Sequence, residues 1–347
     1  MSRVFVHGVG AVSPAGWGWP ALRSALKSGA VLPVKELARP GWTQNLRVRA
    51  VPSASPRPAF LASPRLRRTS AISHYAVAAA LEALGPDWSA KLLLGQNHER
   101  LGIILCVMNG CVAYSRRFYD ETLRDPATAS PLVFPETVFN APSSHLAALL
   151  GAGGMNYTLV GDPGTFVQGL ALAADWLASD QADGCLVVGA EEADWTTADA
   201  FHHFSRGMVL AEGAGAVCLH REPPAQGVGV ELQLITESRL FVDAASRAEA
   251  ARLVRNELPD HNRGELLCDS QSGAKSFDAP EEAAWADWPG ARLSPKRVLG
   301  EGLMAASAWQ CVAALDCVAL GLCPAANVSV TGCNQQAIGA RFAKAMA

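Results

Sequence analysis

The chain has 347 residues, 50% of them hydrophobic and 18% charged, with a net charge of −3 at pH 7. Such a composition supports a sizeable core and argues against wholesale disorder. The small negative charge gives no support for nucleic acid or an anionic membrane surface as the main partner. The longest apolar runs, such as residues 304–322, are broken by Ser, Gln and Asp, so no membrane span is expected. Residue 3 onward runs straight into a strand pattern with no secretory signal. The nine cysteines carry no CxxC pair. Reduced, buried thiols in a cytoplasmic protein are expected, rather than a disulfide framework or a metal site.

In chain order, residues 3–12 form a short apolar run closing on glycines, a buried strand and turn. Residues 19–28 read as a helix. Residues 30–64, rich in Pro, Arg and Ser, predict a surface excursion. A helix is expected over 69–84, with Thr69 or Ser70 as its cap. A buried strand (101–108), an amphipathic helix (114–123), a loop (134–144) and a short helix (145–150) follow. Residues 156–190 read as strand, the tight turn Gly161-Asp162-Pro163-Gly164, helix (164–178) and strand (185–188). A glycine-rich turn and strand occupy 207–220. Segment 221–229 holds two prolines and two glycines, and marks the expected division into halves 1–222 and 223–347. Beyond it come a strand (230–236), a helix (244–256), a strand (265–269), a helix start (281–286), a long apolar helix (302–322) and a last buried strand (327–330). Strands alternating with helices on both sides of the linker predict an α/β fold of two halves. The strand, turn and helix around Gly161–Gly164 are loosely echoed by Val298, Glu301 and Ala305, without an exact repeat.

Residues 156–191 resemble the signature of the β-ketoacyl synthases, N-x-T-V-x-T-A-C-x-S-G followed by a helix and A-D-x-x-x-x-G-A-E. Asn156, Thr158, Trp176, Ala182-Asp183 and Gly189-Ala190-Glu191 fall on it without a gap. Val6-His7-Gly8-Val9-Gly10 with Ser13-Pro14, Phe134-Pro135 with Asn140-Ala141-Pro142, and Gly207 with Glu212-Gly213-Ala214-Gly215 resemble further family landmarks in the family's order. So do Asp278 with Glu281, Lys296 with Gly300 and Ala305-Ala306, and Asn334. The resemblance implies a thiolase-like fold: two pseudo-equivalent βαβ-containing halves in a layered α/β/α/β/α arrangement. This chain is shorter than a typical member, mainly between residues 221 and 265.

In this family a Cys thiolate at a helix N-terminus takes the acyl chain, two His residues support decarboxylation, and backbone N–H groups form an oxyanion hole. By resemblance, the Cys position is Pro163, which lacks both a nucleophile and an N–H. Proline suits the first position of a helix. The two His positions are Ser270 and Glu301, and the gating Phe falls on Val330. Asp162 and Lys296 complete the implied pocket. Asp162, Ser270 and Glu301 are expected to lie together as a polar plug. An alternative is a re-purposed acyl-thioester hydrolase or dehydratase using these three side chains. His145 reads as a helix-start residue, His202-His203 as a loop pair and His7 as core. Cys106, Cys111 and Cys333 lack the basic helix-start setting of a nucleophile.

Chain length factors of type II polyketide systems resemble condensing enzymes, lack the Cys and pair with an active ketosynthase. The resemblance therefore implies a non-catalytic subunit of a heterodimer serving polyketide, polyene or fatty-acid-like assembly on acyl carrier protein. No cofactor is expected. The implied dimer edge is Asn156, Tyr157, Thr158, Leu159 and Val160, and Tyr114 and Phe118 are the candidates for reaching the partner's tunnel. A scaffold that only stabilises its partner is a third alternative.

Overall fold

The strand-forming sequences assemble, in the computed structural model, into one continuous sheet with a duplicated topology. The structure describes residues 3–93, 100–205, 207–227, 229–259 and 264–345. In the first half, β1 (Phe5–Ser13), β2 (Leu101–Val107), β3 (Asn156–Val160), β4 (Gly184–Glu191) and β5 (Gly213–His220) lie in the spatial order β3-β2-β4-β5-β1. In the second half, β6 (Val230–Ile235), β7 (Leu266–Cys268), β8 (Ala291–Leu293), β9 (Ala325–Thr331) and β10 (Gln336–Lys344) lie in the order β8-β7-β9-β10-β6. Directions match too: β2 is parallel to β3 and β4, and β5 is antiparallel to β4 and β1. β7 is parallel to β8 and β9, and β10 is antiparallel to β9 and β6. The halves meet where β1 pairs antiparallel with β6 through Phe5–Glu231 and Val6–Val230.

Helices fill three layers around the strands. α1 (Trp19–Ser28) leaves β1, and α2 (Ala71–Leu93, broken at Gly85) covers the outer face of the first half against β1, β4 and β5. α3 (Val112–Arg124) and α4 (Ala141–Leu150) follow, then α5 (Thr165–Ala178) and α6 (Trp195–Phe204). α7 (Ala244–Glu257) and α8 (Lys275–Ala284) pack on each other, and α7 also covers β9 and β10. After the short α9 (Pro295–Leu299), α10 (Met304–Ala319) runs between the halves with α5, touching strands of both. The order is therefore α/β/α/β/α. Every residue of α10 from Met304 to Leu315 is buried, Ser307 and Gln310 included, as a helix apolar on nearly all sides must be in a layered core. The central core joins Phe166, Leu170 and Trp176 of α5 to Met304, Ala308 and Cys311 of α10.

Several expectations need correction. Residues 30–64 are not plain surface chain: Lys35–Leu37, Leu46–Arg49 and Leu210–Ala211 form a small three-stranded sheet. The Ser70 hydroxyl does not cap α2; it donates to Glu192, and that carboxylate also accepts from the Ile72 N–H at 3.3 Å. α4 begins at Ala141, with Pro142 in its first turn, and not at residue 145. His202 and His203 lie on α6, where Asp194 accepts from the Thr196 N–H at 3.0 Å as cap. His7 is exposed and stacks on His220 with centroids 4.0 Å apart. α8 starts at Lys275 and continues through Pro280. β9 is not the last strand, because β10 follows it.

Candidate functional site

Topology brings the two strand–turn–helix units face to face. β3 leads through Gly161–Gly164 into α5, and β8 leads through α9 and Glu301 into α10. The faint sequence echo between these segments is thus a topological equivalence. Pro163 is buried before α5. Helix α5 proper starts at Thr165, two residues later than first-position placement of Pro163 requires. A tightened turn intervenes, with the Thr165 N–H donating to Asp162 O at 2.8 Å. Proline's fixed φ and missing donor fit that turn.

Asp162 does not face Ser270. Its carboxylate accepts from the backbone N–H groups of Asn334, Gln335 and Gln336 at 3.1, 3.1 and 2.9 Å, and from Cys333 Sγ at 3.5 Å. It therefore holds the β9–β10 turn onto the start of α5. Ser270 and Glu301 do share one small cavity with Lys296, Glu281, Arg247, Thr331 and Cys333. Its volume is only about 10 Å³, the scale of a single water position. Val330 is not among these residues: it is fully buried in the central core and pairs with Ile338. Its alternate neighbours along the strand, Ser329 and Thr331, carry the polar contacts, as strand alternation dictates.

Most polar groups in the cavity are held by neighbours; the buried Arg247 Nε is not. Ser270 Oγ donates to Ser329 O at 2.9 Å and accepts from the Thr331 N–H at 3.0 Å. Among the described residues, that hydroxyl's hydrogen-bond partners are Ser329 O, the Thr331 N–H and Gln310 Nε2 at 3.4 Å, none of them a base able to activate it. Glu281 accepts from the Ser270 N–H at 2.8 Å, from Ser329 Oγ at 2.6 Å and from Thr331 Oγ1 at 3.3 Å. Burial, with neighbouring Asp269 adding to it, pushes the Glu281 carboxyl up to about 8. Lys296 Nζ donates to Glu301 Oε2 at 2.9 Å, and Glu301 Oε1 accepts from the Leu303 N–H at 2.9 Å. Burial acts to lower the Lys296 pKa; the Glu301 charge and hydrogen bond outweigh it and leave the ammonium above its ordinary value.

Sequence reasoning missed Arg247. This α7 residue is 8% exposed and lines the cavity. Its guanidinium lies 5.1 Å from the Phe241 ring and 4.9 Å from the Phe277 ring, and donates to Phe277 O at 3.3 Å. Burial lowers its pKa, against the attraction of Glu281. No sequence motif marks this residue, because its place depends on how α7 crosses the sheet. Asp278 is structural, accepting from the Ser272 and Gly273 N–H groups at 2.8 Å each.

The other singled-out residues are dispersed. His145 lies within α4 and contacts Glu136 at 2.9 Å. Cys106 is buried in β2 and its thiol is pushed up by burial. Cys111 does stand at the start of α3, yet burial and then Glu192 push its thiol up, the opposite of activation. Cys333 is likewise held protonated by burial and Asp162. Among the described residues, no group of three or more His, Cys, Asp or Glu side chains is placed to hold a metal ion, and no helix is long and apolar enough to cross a membrane.

A second region stands out by what it leaves uncovered. β3 ends the sheet, and none of Asn156, Tyr157, Thr158, Leu159 and Val160 is buried. Tyr157 and Val160 are 52% and 53% exposed. Asn156 Nδ2 donates to Ser143 O at 3.2 Å and Thr158 Oγ1 contacts Ser143 Oγ at 3.1 Å, fixing the strand to α4. α3 also buries no residue. Tyr114 and Phe118 are half-buried on it, and the Phe118 ring packs at a tilt against Phe134, centroids 5.3 Å apart.

The β-ketoacyl synthase N-terminal domain model matches residues 1–225. The chain belongs to the β-ketoacyl synthase family. No curated protein matches in sequence. Among solved structures, the chain is similar to the ishigamide ketosynthase/chain length factor, with 19% identity, a TM-score of 0.80, and 99% of this chain and 100% of that one covered. It is similar at 16% identity and a TM-score of 0.77 to the complex of the ketosynthase ApeO with its chain length factor ApeC from Xenorhabdus doucetiae, over 99% of this chain and 98% of that one. A match of the same identity and TM-score, covering 99% of each chain, is the AntDE:AntF complex of a type II acyl-carrier protein with its ketosynthase bound to the hexaketide. These TM-scores over nearly the whole of each chain show a shared fold, the layered thiolase-like arrangement described above.

Proposed function

We propose that this β-ketoacyl synthase family member is a non-catalytic, chain-length-factor-like subunit. It pairs with an active β-ketoacyl synthase in polyketide, polyene or fatty-acid-like chain assembly on an acyl carrier protein. The observation that carries this reading is the filled site. Pro163 supplies neither thiol nor N–H, Ser270 is spent on backbone partners, and Glu301 is locked to Lys296 in a cavity of about 10 Å³. The similar folds of ketosynthase and chain-length-factor complexes support the pairing. So does the surface: an uncovered apolar edge strand is a liability that proteins bury, and β3 of one subunit can pair with the equivalent strand of another. Tyr114 and Phe118, half-buried on α3, are the side chains proposed to bound a partner's growing chain, the alternative being ordinary interface packing. We divide the chain at residues 222 and 223; the repeated strand order on either side supports that division.

The test is reconstitution of chain elongation with a ketosynthase encoded beside this chain. Elongation is expected to need both subunits and the ketosynthase's own cysteine, and to survive Ser270→Ala in this chain. Turnover of acyl thioesters by this chain alone, lost on Ser270→Ala, would overturn the reading in favour of a re-purposed enzyme.

A further inference from the structure

The far side of α10 carries an apolar cavity that the proposed pairing does not use. It opens between α1 and the last turns of α10, closed at one side by Leu293 of β8. Its volume is about 430 Å³, within the roughly 300–1,000 Å³ of small-molecule pockets. Leu22 and Val312, each 1% exposed, form the floor. Leu320 and Leu322, 51% and 71% exposed, stand at its mouth. Large aliphatic side chains left in water around a preformed apolar hollow are the mark of a surface that an apolar ligand covers.

The charges around the cavity are unequal. Arg23 is committed: it contacts Asp316 at 2.5 and 2.6 Å through two nitrogens, and lies 3.6 Å from the Trp19 ring centroid. The Asp316 charge is thereby answered. Lys27, one turn further along α1, also lines the cavity, and among the described residues no carboxylate pairs with it. The uncompensated charge at the rim is therefore a cation, on a stem long enough to follow a ligand's head group.

We propose that this cavity binds a single-chain amphipathic anion, a medium-chain fatty carboxylate, with the alkyl chain between α1 and α10 and the carboxylate at Lys27. An apolar hollow of this size, with Lys27 the one free cation at its rim among the described residues, complements that class. A second carboxylate at the rim, or a polar floor, would have pointed elsewhere. The proposal stands independently of the chain-length-factor reading, since it involves neither Ser270 nor β3.

Decanoate and its neutral analogue decanol are the probes, titrated into the full chain by isothermal calorimetry. Saturable one-site binding of decanoate is expected. Lys27→Glu should weaken decanoate roughly two- to fivefold, the scale of a solvated ion pair, while leaving decanol unchanged. Ala313→Phe, which places a ring in the cavity, should remove both. Thermal melts of each variant separate loss of binding from loss of folding, and Lys27→Glu, at the surface, keeps the test open if Ala313→Phe misfolds. Absence of saturable decanoate binding to the unaltered chain would overturn the proposal. Equal weakening of decanoate and decanol by Lys27→Glu would overturn the role given to Lys27.

Discussion

Glu301→Ala is the sharpest probe of the buried ion pair in this site. Lys296 and Glu301 are 1% and 3% exposed and 2.9 Å apart. At an effective dielectric near 20 their attraction is about 4 kcal/mol or more, comparable to the several kcal/mol per ion spent on removing each from water. The intact pair therefore adds little net stability. Removing one partner strands the other in the core, at about 3–5 kcal/mol. Glu301→Ala also leaves the Leu303 N–H without its acceptor. Urea unfolding followed by circular dichroism should show that loss for Glu301→Ala and a similar one for Lys296→Met. The double variant Lys296→Met, Glu301→Leu should return to within about 1–2 kcal/mol of the unaltered chain. The pH response should change as well. Without Glu301, burial depresses the Lys296 pKa in the folded state, so the unfolded chain binds the extra proton and stability rises with pH up to about 10.4. Single variants costing under about 1 kcal/mol, or a double variant whose cost is the sum of the singles, would refute the buried lock.

Four further outcomes follow from the geometry. Asp162→Ala removes the acceptor of three backbone N–H groups in the β9–β10 turn, and should cost about 2–4 kcal/mol in the same titration. Burial and then His7 lower the His220 pKa to about 4. Between pH 6.5 and about 4 the unfolded chain therefore takes up a proton that the folded chain does not, and stability falls with falling pH by up to about 1.4 kcal/mol per unit; His220→Gln should flatten that limb. Tyr157→Lys with Val160→Glu should abolish association with the partner ketosynthase while costing the subunit's own stability only about 0.5–1.5 kcal/mol, the scale of the edge contact that Tyr157 makes with Trp176 at 5.1 Å. Enlarging or shrinking Tyr114 and Phe118 should change product length at intact assembly, read by mass spectrometry; unchanged length would reduce the subunit to a scaffold.

The fold was legible because the family's glycines and acids mark turns that must stay. Glu212, for instance, accepts from the Val51 and Ala193 N–H groups and from Tyr75, tying three segments together. β10 was hidden by Arg341, which reads as solvent-facing but lies buried against Glu265 through contacts of 2.7 and 2.8 Å. α6 looked like a polar loop, although Asp194 before Trp-Thr-Thr was a usable cap signal. The duplication was nearly invisible because it repeats strand order and direction, which packing enforces, and not residues. At the site, motif position located Ser270, Lys296 and Glu301. It could not give the direction of Asp162, which one turn of chain decides, nor Arg247, which arrives from a helix outside every motif. Val330 was placed by resemblance to the family's terminal turn, and strand alternation puts it in the core.

Co-expression of this chain with a neighbouring ketosynthase that keeps its Cys and two His, followed by native mass spectrometry, tests the central claim most directly. The account predicts a stable one-to-one heterodimer. A stable homodimer of this chain, formed in the presence of that ketosynthase and indifferent to it, would contradict it.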